Sequence, residues 1–256
     1  MTLYFMILAI LGLMVAGFIA GFFDSIVGGS GVITLPALLS SGISPYMALG
    51  TNKIASTFAS STSSWTYFRS GHLERRLLLW MIPFTFVGAL CGAETVLHVD
   101  QHYLQIIILI AILVIAMMTW LKRDLGQANE FIFYPLKTRI IAMFIAFALG
   151  FYDGFIGPGT GSFLLFTFLA VFRFDFITAV GNGRALNFTS NTAALLWFII
   201  QGKVVYLYGL PMGFAMMIGA RVGSRMAIRK GVPLIRPLFI VVSIVLSMKM
   251  ALTVFG

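Results

Sequence analysis

Asp24-Ser25-Ile26-Val27-Gly28-Gly29-Ser30-Gly31 interrupts two apolar segments that would otherwise read as one membrane helix. Asp153-Gly154-Phe155-Ile156-Gly157-Pro158-Gly159-Thr160-Gly161 does the same in the second half of the chain, again after an apolar run ending in Gly-aromatic-aromatic. Irregular backbone at membrane depth leaves N–H and C=O groups that lipid cannot satisfy, so it persists only inside protein or against a watery cavity. Two such breaks predict a polar centre, and a polar centre of this kind points to transport.

Composition sets the solvent. Of the 256 residues, 60% are hydrophobic and 10% charged, and the mean hydropathy is +1.01, a balance that belongs to integral membrane proteins. Lys and Arg number 17 against 8 Asp and Glu, but the basic residues gather in short connections between apolar runs. There they record topology and give no reason to expect nucleic acid. The single Cys91 and the scattered His72, His98 and His102 offer neither a disulfide framework nor metal-ligand spacing. No Walker loop, His-Glu-x-x-His pair or triad spacing is present, so neither direct ATP drive, a cofactor nor an enzyme is expected.

Ten apolar segments can be counted. Seven have spanning length, 3–23, 46–68, 77–97, 103–121, 176–200, 205–227 and 236–255, and three are shorter, 31–41, 138–152 and 160–172. At 1.5 Å per residue, ten to thirteen residues cover about 15–20 Å of a hydrocarbon core about 30 Å thick. The pieces beside the breaks should therefore be broken or re-entrant helices. The run 3–23 lacks a basic start and ends like the internal run before Tyr152, so it reads as a span and not as a secretory signal.

The breaks belong to an internal repeat. Asp24 matches Asp153, Gly31 matches Gly161, and Ala48-Leu49-Gly50-Thr51-Asn52-Lys53 aligns with Ala179-Val180-Gly181-Asn182-Gly183-Arg184. Ser70-Gly71 then meets Gln201-Gly202, and Gly88-Ala89-x-x-Gly92 meets Gly219-Ala220-x-x-Gly223. Two homologous halves, 1–121 and 138–256, would be joined by a polar linker, 122–137, on the cytoplasmic side. Basic clusters at Arg69, Arg75 and Arg76, at Lys122, Arg123, Lys137 and Arg139, and at Arg225, Arg229, Lys230 and Arg236 share that side if an even number of crossings separates them. Each half then holds an odd number of segments, so the halves are inverted relative to each other and both termini lie outside. The expected fold is all-α and integral to the membrane, with inverted repeats of about five helical segments each and broken or re-entrant helices at the glycine breaks.

Several side chains are candidates for chemistry. Helices starting near Gly31 and Gly161 would aim unpaired N–H groups and the positive end of a dipole into the gap, and Gly28, Gly29, Gly157 and Gly159 let an anion approach the backbone. The same glycines could merely permit tight turns. Lys53 and Arg184 lie about two turns into apolar helices at matched positions, where a cation either meets a ligand, snorkels, or pairs with Asp24 and Asp153. Asn52, Asn187 and Asn191 are amides costly to leave unmatched in lipid. The Ser/Thr run around them can replace an anion's hydration shell or stitch helices together. Asp24 and Asp153 could carry a coupling proton or hold the breaks by accepting N–H bonds. Gly88-x-x-x-Gly92, Gly209-x-x-x-Gly213 and Gly219-x-x-x-Gly223 argue close helix packing and allow a homodimer.

With these residues in view, the sequence resembles the TauE/SafE family, the sulfite exporters, and within it the YfcA-type branch. Both halves follow its Gly-Phe-x-[Asp/Ser]-x-x-x-Gly-x-Gly-Gly break, its Ala-[Leu/Val]-Gly polar helix and its Gly-Ala-x-x-Gly helix, with Pro158 and Ser30 departing from the glycine pattern. The resemblance implies a multi-pass protein of the bacterial inner membrane that moves small sulfur-containing anions such as sulfite, thiosulfate or sulfonates. An anion channel, a carrier of an unrelated small organic solute, an intramembrane enzyme and a scaffold without solute compete with that reading. The enzyme would need a nucleophile and base in mutual reach, and the only base at hand is one of the two aspartates.

Overall fold

The computed structural model describes residues 3–104, 106–108, 110, 131 and 135–230. Every regular element among them is an α-helix. In chain order these are α1 (Leu3–Asp24), α2 (Gly31–Leu39), α3 (Pro45–Arg69), α4 (Arg75–Val96), α5 (Pro135–Phe155), α6 (Thr160–Ala170), α7 (Phe176–Ile200) and α8 (Tyr206–Lys230). Residues 101–104 are helical as well. The expected spans 103–121 and 236–255 and the linker 122–137 lie largely outside the described residues.

Helix lengths follow the apolar runs. α1, α4 and α5 are long and apolar enough to cross a bilayer, and α3, α7 and α8 have 25 residues each, about 37 Å. α2 with 9 residues and α6 with 11 reach only part of the way, as the short runs 31–41 and 160–172 imply. The third short run, 138–152, is corrected: α5 has 21 residues and spans about 31 Å. Lys137 had closed the apolar window at 138, yet the helix runs through it from Pro135 and on to Phe155, and the Arg139 guanidinium lies 4.4 Å from the Trp80 ring centre on α4.

Polarity is distributed inside out. Leu79 is 70% exposed and Phe144 74%, while Lys53 and Arg184 are each 1% exposed. Water would reverse that order, since an apolar exterior around buried charge is favourable only where the surroundings are themselves apolar.

Helix packing repeats itself across the two halves. α4 lies along α5, and α8 lies along α1; α3 meets α8, and α7 meets α4; α2 rests on α3, and α6 on α7; α3 and α7 touch each other. Exchanging α1–α4 for α5–α8 leaves this pattern unchanged. The small-residue spacings do the close packing within the chain. A Cβ on Gly88 or Gly92 would run into the carbonyls of Phe147 and Phe151 on α5, and one on Gly219 or Gly223 into those of Phe18 and Phe22 on α1. Gly213 closes on the Phe58 ring. These glycines are thus consumed by intramolecular contacts, which leaves them no part in a homodimer.

Hydrogen bonds between the halves obey the same exchange. Asn182 on α7 accepts the Glu74 N–H at the start of α4 at 3.0 Å, and its counterpart Thr51 on α3 accepts the Val205 N–H just before α8 at 2.9 Å. Each answers one of the donors that a helix start leaves open. Gly50 and Gly181, beside them, are pressed against the carbonyls of Lys203 and His72.

Candidate functional site

The two breaks meet. Gly28 and Gly29 take φ of +87° and +99°, and Gly157 and Gly159 take +89° and +73°, left-handed values that glycine adopts at little cost. Gly28 rests on the Gly161 backbone, and a Cβ on Gly31 would stand 2.9 Å from Pro158 Cα. Side chains close the remaining backbone. Ser162 Oγ donates to the Val27 carbonyl at 3.2 Å, Tyr67 Oη to the Ser25 carbonyl at 2.8 Å, and Tyr152 Oη to the Pro158 carbonyl at 2.8 Å. Irregular backbone is in this way satisfied by protein, as an apolar solvent requires.

Each break carries an aspartate, and a cation from the opposite half holds it. Arg184 Nη1 lies 2.7 Å from Asp24 Oδ2; Lys53 Nζ lies 3.1 Å from Asp153 Oδ1 and donates to the Asp153 carbonyl at 2.5 Å. All four residues are 2% exposed or less. Lys53 is eight residues into α3 and Arg184 eight into α7, about 12 Å from each helix start, so the pairs sit near matched depths of the two helices. Of the fates open to these cations, pairing with the aspartates is the one realised.

The two pairs differ in detail. Asp24 Oδ1 accepts the N–H groups of Gly29 and Ser30, each at 3.0 Å. The donors expected to face the gap at the start of α2 are therefore engaged by the protein's own carboxylate. Asp153 Oδ1 accepts from Thr160 Oγ1 at 2.9 Å, while its Oδ2, buried, has no hydrogen-bond partner among the described residues. Arg184 Nη1 has a second, longer contact of 3.4 Å to Asn187 Oδ1.

Between the breaks remains a cavity of about 10 Å³, room for about one water. Asp24, Gly29, Gly31, Asn52, Lys53, Asp153, Gly157, Gly161, Asn187 and Asn191 line it. Gly28, Gly159 and Arg184 stand behind that lining: the Arg184 guanidinium presses on Gly161, and Gly159 is the left-handed residue before α6. Ser30 and Ser56 complete the wall; Ser56 belongs to the Ser/Thr run noted around the amides but is not singled out by the sequence, and Ser30 is not a candidate there. Ser56 lies one turn after Asn52, on the same helix face, a spacing that could have singled it out. Thr34 also escaped notice; its Oγ1 donates to Asn52 Oδ1 at 2.6 Å and fixes the amide. Among the described residues no group of three or more His, Cys, Asp or Glu side chains is placed to hold a metal ion.

This centre is the part of the molecule that the repeat builds, and the comparisons bear on the same stretch. Residues 13–250 match the family described as "Sulfite exporter TauE/SafE". The chain belongs to the TauE/SafE family of membrane transporters. It is 38% identical over 238 residues to "Probable membrane transporter protein ORF9" of Sinorhizobium sp, covering 93% of this chain and 90% of that protein. It is also 38% identical over 233 residues to "Probable membrane transporter protein YfcA" of Escherichia coli K12, covering 91% and 86%. A probable membrane transporter protein of Haemophilus influenzae is 32% identical over 234 residues, 91% of each chain. No solved structure matches the chain.

Proposed function

We propose that this protein is a secondary transporter of small sulfur-containing anions, of the sulfite, thiosulfate or organosulfonate class, multi-pass in the bacterial inner membrane and without catalytic activity. Its halves, 1–121 and 138–256, act as inverted repeats joined by the cytoplasmic linker 122–137, and alternating access comes from rocking of one against the other. The observation that carries this reading is the buried polar cavity between the two breaks, where the Lys53 ammonium and three amides converge, with Arg184 behind the wall on Asp24. Substrate class leans on the family description; the anionic charge leans on Lys53 and Arg184.

The site as it stands is closed, since about 10 Å³ holds one water and not an oxyanion of sulfur. Both ion pairs cross between the halves, and the Lys53–Asp153 pair acts as the latch that rocking must loosen. An entering anion competes with Asp153 for the Lys53 ammonium, while Asn52, Asn187, Asn191, Ser30 and Ser56 replace its hydration. Glycine at 29, 31, 157 and 161 lets it approach the backbone.

Thermal unfolding of the purified protein against thiosulfate, sulfite, sulfoacetate, taurine, sulfate and simple carboxylates tests the assignment. A ligand at a hundred times its Kd adds about 2.7 kcal/mol to the folded state, and the expected result is a shift with a sulfur anion that Lys53→Ala removes. Stabilisation by a neutral solute alone would reject the anion reading.

A further inference from the structure

The two buried ion pairs occupy matched positions and yet are chemically unlike. Arg184 keeps its proton in proteins, and Asp24 retains two backbone N–H donors whatever the guanidinium does. Lys53 is a compact ammonium, and it meets Asp153 at Oδ1 and at the backbone carbonyl; Oδ2 is buried, has no hydrogen-bond partner among the described residues, and belongs to a residue that lines the cavity. The Lys53 ammonium also lies beside Gly157, about 3.0 Å from where a Cβ would stand, so it is open to whatever enters. One pair is a fixed strut and the other is poised to exchange partners.

Charge bookkeeping at the cavity gives the consequence. Lys53, Arg184, Asp24 and Asp153 sum to zero, so a bound monovalent anion leaves a net negative charge in a site of low dielectric, which is costly unless compensated. Among the described residues Asp153 faces Lys53 from α3, Tyr152 beside it on its own helix and, across the cavity both line, Asp24, whose charge Arg184 offsets. When an anion takes the Lys53 ammonium, only Asp153 loses its cation without backbone donors to fall back on.

We infer that Asp153 is the proton-coupling site of the transporter: the anion binds Lys53 together with one proton, which forms an O–H bond at Asp153 Oδ2. The proton comes from the aqueous side to which the cavity is open, and it leaves to the opposite side when the anion departs and the Lys53–Asp153 pair closes again. No bond in the substrate breaks and nothing is oxidised or reduced. Asp24 keeps its contacts to Gly29, Ser30 and Arg184 throughout. This inference rests on the anion reading above.

The test uses the full chain in proteoliposomes, clamped at zero voltage with potassium and valinomycin, with the labelled monovalent anions methanesulfonate, ethanesulfonate and isethionate as probes. A gradient of one pH unit, acid outside, should concentrate a transported probe about tenfold inside, the ratio at which the two gradients balance for one proton per anion. Asp153→Asn should let the same probe equilibrate without concentrating it. A probe that enters wild-type vesicles but only equilibrates would overturn proton coupling and leave the transporter reading intact. Accumulation retained in Asp153→Asn would overturn the assignment to Asp153. If none of the probes enters, the anion reading fails and the inference with it. Infrared difference spectra of wild-type protein guard against a variant that does not fold. Adding a transported probe to wild-type protein should produce the carbonyl stretch of a protonated carboxyl, and its absence would count against the proposal.

Discussion

Arg184 and Asp24 allow the sharpest energetic prediction. At 2.7 Å and an effective dielectric constant of about 20, their Coulomb attraction is about 6 kcal/mol, and desolvation of two buried ions takes back most of it. Breaking a buried pair by removing one partner costs about 3–5 kcal/mol. Arg184→Met should fall near the lower figure, because Asp24 keeps the Gly29 and Ser30 N–H groups. Asp24→Asn should fall near the upper one, because it leaves a guanidinium that is 1% exposed and whose Nε already lacks a partner among the described residues. The double variant Asp24→Asn/Arg184→Met removes both charges and keeps an oxygen for the two N–H donors. It should cost well under the sum of the singles, with an interaction energy of about 3 kcal/mol. Thermal unfolding in detergent reads this directly: at about 2–4 °C per kcal/mol for a chain of this size, each single should lose roughly 6–20 °C and the double no more than Asp24→Asn alone, about 10–20 °C. Additive losses would refute the pairing.

Other consequences follow from the same geometry. Gly161→Ala places a methyl in the Arg184 guanidinium and against the Gly28 backbone, so the yield of folded protein should collapse, whereas Gly42→Ala, at an open position, should pay only for its positive φ; size-exclusion profiles compare the two. Asn182→Ala and Thr51→Val each orphan a part-buried N–H, of Glu74 and of Val205, and each should cost about 1–2 kcal/mol, with near-equal Tm losses because the contacts are counterparts. Gly92→Leu, against the Phe151 carbonyl, should prise α4 from α5 and lower the Tm by more than 10 °C, since overpacking a close helix contact costs roughly 1–3 kcal/mol or more.

Much of this architecture was legible before any coordinates. The glycine breaks, the short α2 and α6, and the burial of Lys53 and Arg184 all follow from two polar interruptions placed in apolar sequence. Pairing was less legible. The alignment sets Lys53 beside Arg184 and Asp24 beside Asp153 as equivalents, but equivalence says nothing about which cation meets which acid, and the answer, that each crosses to the other half, depends on how α3 and α7 pass each other. Asp24 illustrates a second limit: its spacing from Gly29 and Ser30 suggests a cap, yet whether those N–H groups serve a ligand or the protein itself is decided by the turn. Ser56 was hard to single out for a different reason, since hydroxyls are so dense along α3 that composition cannot rank them. The end of α5 was misjudged because long basic side chains pack on neighbouring rings while their backbone stays helical.

The exchange of partners between α1–α4 and α5–α8 has a consequence for how the protein is made. When the ribosome has delivered the first half to the membrane, Asp24 and Lys53 are already at depth, and the side chains that neutralise them have not yet been synthesised. The early chain is therefore a species that lipid does not welcome, and it must wait in a polar or proteinaceous shelter until residues 153 and 184 arrive. Two separately encoded halves, expressed together, should then rescue one another, while either alone should be cleared by membrane quality control.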